Sequence, residues 1–229
     1  MNATIERATT RAAHQMHRPG TVQDALETIV RSASEALPRF DHVGVSTVED
    51  DGSVQTRATT SVLVLDLDAL QQQAGEGPLI DSRHTAAVVA APDIARDDRW
   101  PGYVPAAAAL GLSSQLSVRL HLADRGTVGS LNLYSTTHAD IDALHVSLAT
   151  HVAAHAGAAL GRAQEHALST RAEKDAHLVG QAIGLLMERH RVTDDEAHSF
   201  LWRASKHTNT TVSGMAASLV GDANTRVGR

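Results

Sequence analysis

The sequence predicts an α+β chain: an antiparallel sheet with flanking helices, then a long coiled-coil helix leading into a C-terminal three-helix bundle. Three features support this. Short alternating or apolar segments recur between His42 and Tyr134, punctuated by turn residues. From Asp140 to His190 the chain carries no proline and reads as helix throughout. Two further apolar stripes at 3-and-4 spacing then close the chain. Hairpins interspersed with helices favour an antiparallel sheet with helices packed on its faces.

The elements follow in order along 229 residues, a length that allows one large domain or two small ones. Residues 1–20 are polar and aperiodic, end in Pro19-Gly20, and are expected to form a disordered arm. Thr21 caps a helix with Val22, Leu26, Ile29 and Val30 on one face, running to about Leu37, ahead of Pro38. From His42 the period changes to two, and Val43, Val45 and Thr47 alternate with Gly44, Ser46 and Val48 as in a half-buried strand. Asp50-Asp51-Gly52-Ser53 reads as a hairpin turn into a strand at Val54–Thr60. Then come a helix at about Leu67–Gln73, the loop Gly75-Glu76-Gly77-Pro78, a strand at Ala86–Ala90 and a proline-started helix at Trp100–Leu110. The strand pair Gln115–Leu122 and Thr127–Tyr134 completes the sheet around Ala123-Asp124-Arg125-Gly126.

After Asp140 the sequence predicts one long helix, or two nearly collinear ones. Ala149, Val152, Ala156, Ala159 and Ala163, continued by His166 and Thr170, are spaced as a heptad-like seam of small residues. Such a seam on a linker helix at 140–178 suggests a homodimer; the alternative is that the stripe packs on its own sheet. Thr193 and Glu196 form a capping box for the next helix, with Ala197, Phe200, Leu201 and Ala204 as its buried stripe. Val212, Met215, Ala216 and Leu219 form the last stripe. With Val179, Ile183, Leu186 and Met187 these make a bundle of about 45 residues, small enough to gain from tethering.

Composition excludes several functions. Twenty basic residues against 26 acidic give a net charge of −6, which rules out coating nucleic acid by bulk charge but leaves room for a local site. The absence of cysteine removes disulfides, thiolate zinc sites, thiol catalysis and thioether attachment of a bilin. No apolar run is long enough for a membrane helix, and the start lacks the order of a signal peptide, so the expected location is the cytoplasm. No P-loop, Gly-x-Gly-x-x-Gly or Gly-x-Ser-x-Gly appears, and the chain is not expected to be an enzyme. His151 and His155 have the spacing of a helical metal pair without an obvious third ligand, and no metal site is assigned.

Gly180-Gln181-Ala182-Ile183-Gly184-Leu185-Leu186-Met187-Glu188-Arg189-His190, then Val192–Ala197, Phe200-Leu201, Arg203-Ala204-Ser205, Ala216 and Val220, resemble the ANTAR RNA-binding domain of bacterial antiterminators over 168–220. Ile183 stands where many members carry Lys. Gln71–Pro78, Val89–Ile94, Asp98-Arg99-Trp100-Pro101 and Val128–Tyr134 resemble a GAF sensory domain over 21–154. Residues 221–229 would be a tail. The resemblance implies a GAF-like sensor feeding a coiled coil that positions two ANTAR bundles. Each dimer would then bind paired RNA stem-loops in mRNA leaders and compete with a terminator hairpin.

For that function the RNA-binding candidates are Gln181, Ala182, Gly184 and Leu185, where small residues leave room for a base. Arg189, Arg203, Ser205, Lys206 and Asn209 would supply donors around them. Close helix packing is the alternative for Ala182 and Gly184, and solvated charge for Arg189 and Arg203. Met187 is expected in the core, and Trp202 either stacks on RNA or lies partly buried against its neighbours. Residues 170–229 hold eight basic and seven acidic side chains, so the negative charge resides in the sensor half. A small-molecule pocket would be walled by 65–80 and 91–110; no cofactor is identified, although His84 or His121 would suit haem iron. The alternative function is a ligand-sensing scaffold whose C-terminal bundle binds a protein partner.

Overall fold

The computed structural model describes residues 20–49 and 51–227, together with Thr10 and Met16. The expected arm otherwise lies outside the described residues; Met16 is helical and buried in the first core. The chain divides into two compact units, Met1–Gln164 and Glu165–Arg229.

Unit one opens with helix α1 (Val22–Ala36), whose Thr21 cap accepts from Asp24 N while the Asp24 carboxylate accepts from Thr21 N, a reciprocal box. Strands β1 (His42–Val48) and β2 (Val54–Thr59) form the expected hairpin, with Gly52 at φ +81° in its turn. Helix α2 (Val62–Ala74) starts at Val62 rather than Leu67 and ends on left-handed Gly75. The proline that the sequence reading placed in a loop instead starts a short helix, α3 (Pro78–His84). Strand β3 (Val88–Ala91), a 3-10 turn at Ile94–Arg96 and helix α4 (Val104–Ala109) follow. The helix expected at Trp100–Leu110 is shorter because Trp100–Tyr103 forms a turn, where the Gly102 N–H donates to Glu76 Oε1 at 2.5 Å. Strands β4 (Ser114–Leu122) and β5 (Gly126–Ser135) complete an antiparallel sheet of order β2-β1-β5-β4-β3.

Alternation along these strands sorts their side chains into two faces, and both are buried. Val43, Val45, Leu116, Val118, Leu120, Leu131 and Leu133 share one apolar core with α1 and with the start of α5 (Ala143–His190), a single helix of 48 residues. This corrects the dimer-coil assignment: Ala149, Val152, Ala156, Ala159 and Ala163 are at most 9% exposed within one chain, and the first four belong to the core shared with the sheet. The small residues serve close approach to β4. A Cβ at Gly157 would stand 3.4 Å from the His121 carbonyl oxygen, and one at Gly161 2.6 Å from Leu122 Cδ1.

The other face corrects the half-buried reading of β1. Its polar residues are covered by α2, α3 and α4 and bond to one another instead of to water. Tyr103 donates to Gln115 Oε1 (2.7 Å), Gln115 Nε2 to Gln71 Oε1 (3.3 Å), and the Leu79 N–H to Gln71 Oε1 (2.8 Å). Asn132 Nδ2 donates to Ser46 Oγ at 3.1 Å. The buried Asp68 carboxyl is contacted by Ser46 (3.1 Å), Thr56 (2.5 Å) and Tyr134. Burial pushes that carboxyl above its usual range despite the three hydroxyls, which act the other way.

Unit two is a bundle of the C-terminal part of α5 with α6 (Asp194–Thr208) and α7 (Val212–Val227). The Thr193–Glu196 capping box is present, with the Thr193 N–H donating to Glu196 Oε2 at 2.9 Å. Its buried core is Ala182, Leu186, Ala197, Leu201 and Ala216. Helix α7 continues through the stretch expected as a tail, to Val227.

Two glycines should respond oppositely to alanine. A Cβ at Gly129 would meet the Ser46 carbonyl oxygen at 2.1 Å, so Gly129→Ala should lower unfolding free energy by about 1–3 kcal/mol in urea titration. Nothing lies within 4 Å of the Cβ position at Gly180, and Gly180→Ala should stabilise its helix by up to about 1 kcal/mol. A neutral Gly129→Ala would contradict the close strand approach.

Asp68 gives a pH dependence of defined sign. Its folded pKa lies above the unfolded value, so the native chain keeps a proton that the unfolded chain releases above about pH 4. The associated stability is complete below that pH and is lost as pH rises toward the folded value. The urea midpoint of wild type should therefore fall, relative to Asp68→Asn, as pH is raised from about 4 to about 8. Parallel profiles of the two proteins would refute the assignment.

Candidate nucleic-acid interface

The bundle core decides which candidate residues are available to a ligand. Ala182 is fully buried and forms part of that core, so it is not on the close-approach surface to which the sequence assigned it. Ser205 is also buried, with its hydroxyl donating to the Trp202 carbonyl at 3.0 Å. The buried stripe of α6 is Ala197, Leu201 and Ser205 at i, i+4, i+8 spacing, which turns Phe200 outward. Contrary to expectation Phe200 is 48% exposed; its ring stacks against His190 at 6.4 Å between centroids. Met187, expected in the core, is also exposed.

The other candidates lie on the surface. On α5, Gln181, Gly184 and Leu185 share one exposed face, at i, i+3, i+4 spacing, joined one turn on by Glu188. No atom lies within 4 Å of the position a Cβ would take at Gly184, so this glycine serves no helix packing within the bundle. Ile183, by contrast, packs against the core. Arg189, Arg203 and Lys206 are exposed. Asn209 is exposed at the end of α6 in the left-handed conformation, φ +52°, its N–H donating to the Ser205 carbonyl. Trp202, not placed among the site residues from sequence, is exposed beside Lys206, whose Nζ stands 5.7 Å from the ring centroid. The i,i+4 spacing of the pair was the signal for it.

In unit one the segments expected to wall a sensor pocket do cover the sheet, but side chains fill the space beneath them. Trp100, Tyr103 and Tyr134 are buried there with the polar layer. Two atoms of that layer, Ser130 Oγ and Asn132 Oδ1, are buried without a partner. A groove of about 400 Å³ opens between α2 and α4, lined by Asp66, Ala69, Leu70, Gln73, Ala106, Ala109 and Leu110. His84 and His121 are exposed rather than set in a pocket, and no group of three metal-ligating side chains occurs among the described residues. Among the same residues no helix is long and apolar enough to cross a membrane.

The comparisons agree with this division. A GAF domain model matches residues 20–161 and an ANTAR domain model matches 165–220. Among solved structures, the GAF domain of a phosphoenolpyruvate-protein phosphotransferase from Acinetobacter is 15% identical, with a TM-score of 0.56 over 73% of this chain and 98% of that one. The corresponding domain from Coxiella burnetii is 14% identical, with a TM-score of 0.56 over 72% and 96%. A bacteriophytochrome from R. palustris is 12% identical, with a TM-score of 0.57 over 80% of this chain and 42% of that one. At such identities the likeness shows the fold alone. A search of curated proteins finds no match. The chain belongs to the GAF family over most of its length and, with the ANTAR domain that follows, is a GAF–ANTAR regulatory protein in which a sensor domain precedes an RNA-binding antitermination module.

Proposed function

We propose that this protein acts as a homodimer that binds paired stem-loops in nascent mRNA leaders and so prevents a terminator hairpin from forming, with a signal bound by the GAF domain as its gate. The observation that carries the reading is the open face of Gln181, Gly184 and Leu185 within the ANTAR match, where the glycine has nothing packed against it. Without a Cβ, Gly184 leaves open space in which a nucleobase could approach the helix backbone. Arg189, Arg203 and Lys206 supply exposed donors in a segment whose charges nearly balance, while the sensor half carries the negative excess.

In this reading the dimer uses the part of α5 beyond Gln164, where Leu168 is 60% exposed, since the small-residue seam before it is occupied by the chain's own sheet. Gating acts through that helix. It lies on β4 at Gly157 and Gly161 and continues unbroken to Ala182 and Leu186 in the bundle core. A signal shifts the equilibrium only to the extent that it binds the two helix arrangements with different affinity.

The test is selection of two-hairpin RNAs from a library of leaders of the source genome by the purified protein. Paired hairpins should be enriched over scrambled RNA, and Gly184→Leu should abolish enrichment while remaining folded. Arg203→Ala should lower the slope of log affinity against log salt by about 0.7–0.9, the loss of one phosphate contact. Equal recovery of scrambled RNA, with and without candidate small molecules, would reject the RNA reading and favour protein docking on the bundle.

A further inference from the structure

We propose that Trp202, Lys206 and Asn209 form a strip on α6 that takes an unpaired loop nucleotide of the RNA, with the indole stacked on the base and the ammonium on a neighbouring phosphate. This rests on the RNA-binding reading above and names which part of the hairpin the α6 face reads: its single-stranded loop, not its paired stem.

Trp202 and Lys206 stand at i and i+4 on the helix surface, and Asn209 is the left-handed residue that ends the helix just beyond them. The pair points away from the core side of α6, which Ala197, Leu201 and Ser205 occupy. Trp202 is therefore not a core residue; 53% of its surface is open to solvent. Lys206 lies over the ring at 5.7 Å and has no ion pair among the described residues, so its charge is available to an anion. The Asn209 side-chain amide makes no hydrogen bond among the described residues and presents both a donor and an acceptor, the pattern that can pair with a base edge. Arg203 flanks the strip. The nearest carboxylate along it is Asp195, two turns before Trp202.

This combination suits an unstacked base. A paired stem offers no open aromatic face, because its bases are stacked on one another, and its deep major groove excludes side chains. A loop nucleotide offers a free ring face, a free edge and a phosphate together. The indole, the amide and the ammonium match these in kind.

The experiment uses the full-length protein, the tightest-binding hairpin from the leader selection, and the stem of that hairpin as a loop-free duplex. Trp100 is 2% exposed with its indole N–H donating to Asp81 at 2.9 Å, so Trp202 is the tryptophan that a ligand reaches. The hairpin should quench tryptophan emission and the duplex should not. Trp202→Ala, folded by circular dichroism, should bind the hairpin roughly 5- to 150-fold more weakly with an unchanged salt slope, the loss of one stacked base. Trp202→Phe should retain most of the affinity, and Lys206→Ala should reduce the salt slope by about 0.7. Wild-type affinity in Trp202→Ala, or a quench that persists in Trp202→Phe, would overturn the strip while leaving the RNA reading intact. Failure of the wild-type protein to select any hairpin would remove both.

Discussion

The contact on which the rest of the molecule depends is the close approach of α5 to β4. It is made at Gly157 and Gly161, while Ala149, Val152, Ala153, Ala156, Ala159 and Leu160 of the same helix lie in the core shared with the sheet. Where it presents a glycine, the helix backbone lies near van der Waals distance of the strand, as Gly157 does against the His121 carbonyl. The core that helix and sheet share is filled by aliphatic side chains such as Leu116, Leu120, Leu133, Val152 and Leu160. That matches a chain with only 3% aromatic residues. The same helix continues to His190.

With the apolar face taken by α1 and α5, the opposite face of the sheet had to be closed by α2, α3 and α4 over polar side chains. Burying a hydroxyl or amide is costly unless it finds a partner, and here the partners are other members of the layer. Gln71 ties α2 to the start of α3 by accepting from the Leu79 N–H, and Arg119 ties β4 to α3 by donating to the Ser82 carbonyl at 2.7 Å. Hydrogen bonds of this kind are directional, so they define the position of the covering helices more narrowly than apolar packing would. Ser130 and Asn132 each keep one unpartnered atom, the places where the layer is incompletely satisfied.

The features legible in the sequence were those fixed by local chemistry. Both capping boxes, Thr21 with Asp24 and Thr193 with Glu196, lie within one turn, and the hairpins are set by glycines that take positive φ. Less legible was anything that depends on what lies opposite. A 3-and-4 spacing of alanines is the same pattern whether the partner is a second helix or a sheet, and Ala149 to Ala163 proved to face the sheet. Alternation in β1 shows two faces but not that both are covered. In the candidate site, Gly184 could be read correctly as surface and Ala182 could not, because a small side chain is compatible with either environment. Phe200 and Met187 were misplaced for a related reason: hydrophobicity names candidates for a core without stating how many it can hold.

That capacity explains the distribution of the six aromatic residues. Phe40, Trp100, Tyr103 and Tyr134 are all buried in the sensor unit, whereas Phe200 and Trp202 are both about half exposed in the bundle. The buried core of the bundle is Ala182, Leu186, Ala197, Leu201 and Ala216, with no ring among the described residues that form it. Leu185 and Met187 are exposed on the same unit. A bundle of this size has a small core, and exposed apolar side chains beside it are the kind of surface that marks an interaction site. In the proposed RNA complex the exposed ring of Trp202 is where an unpaired base would stack.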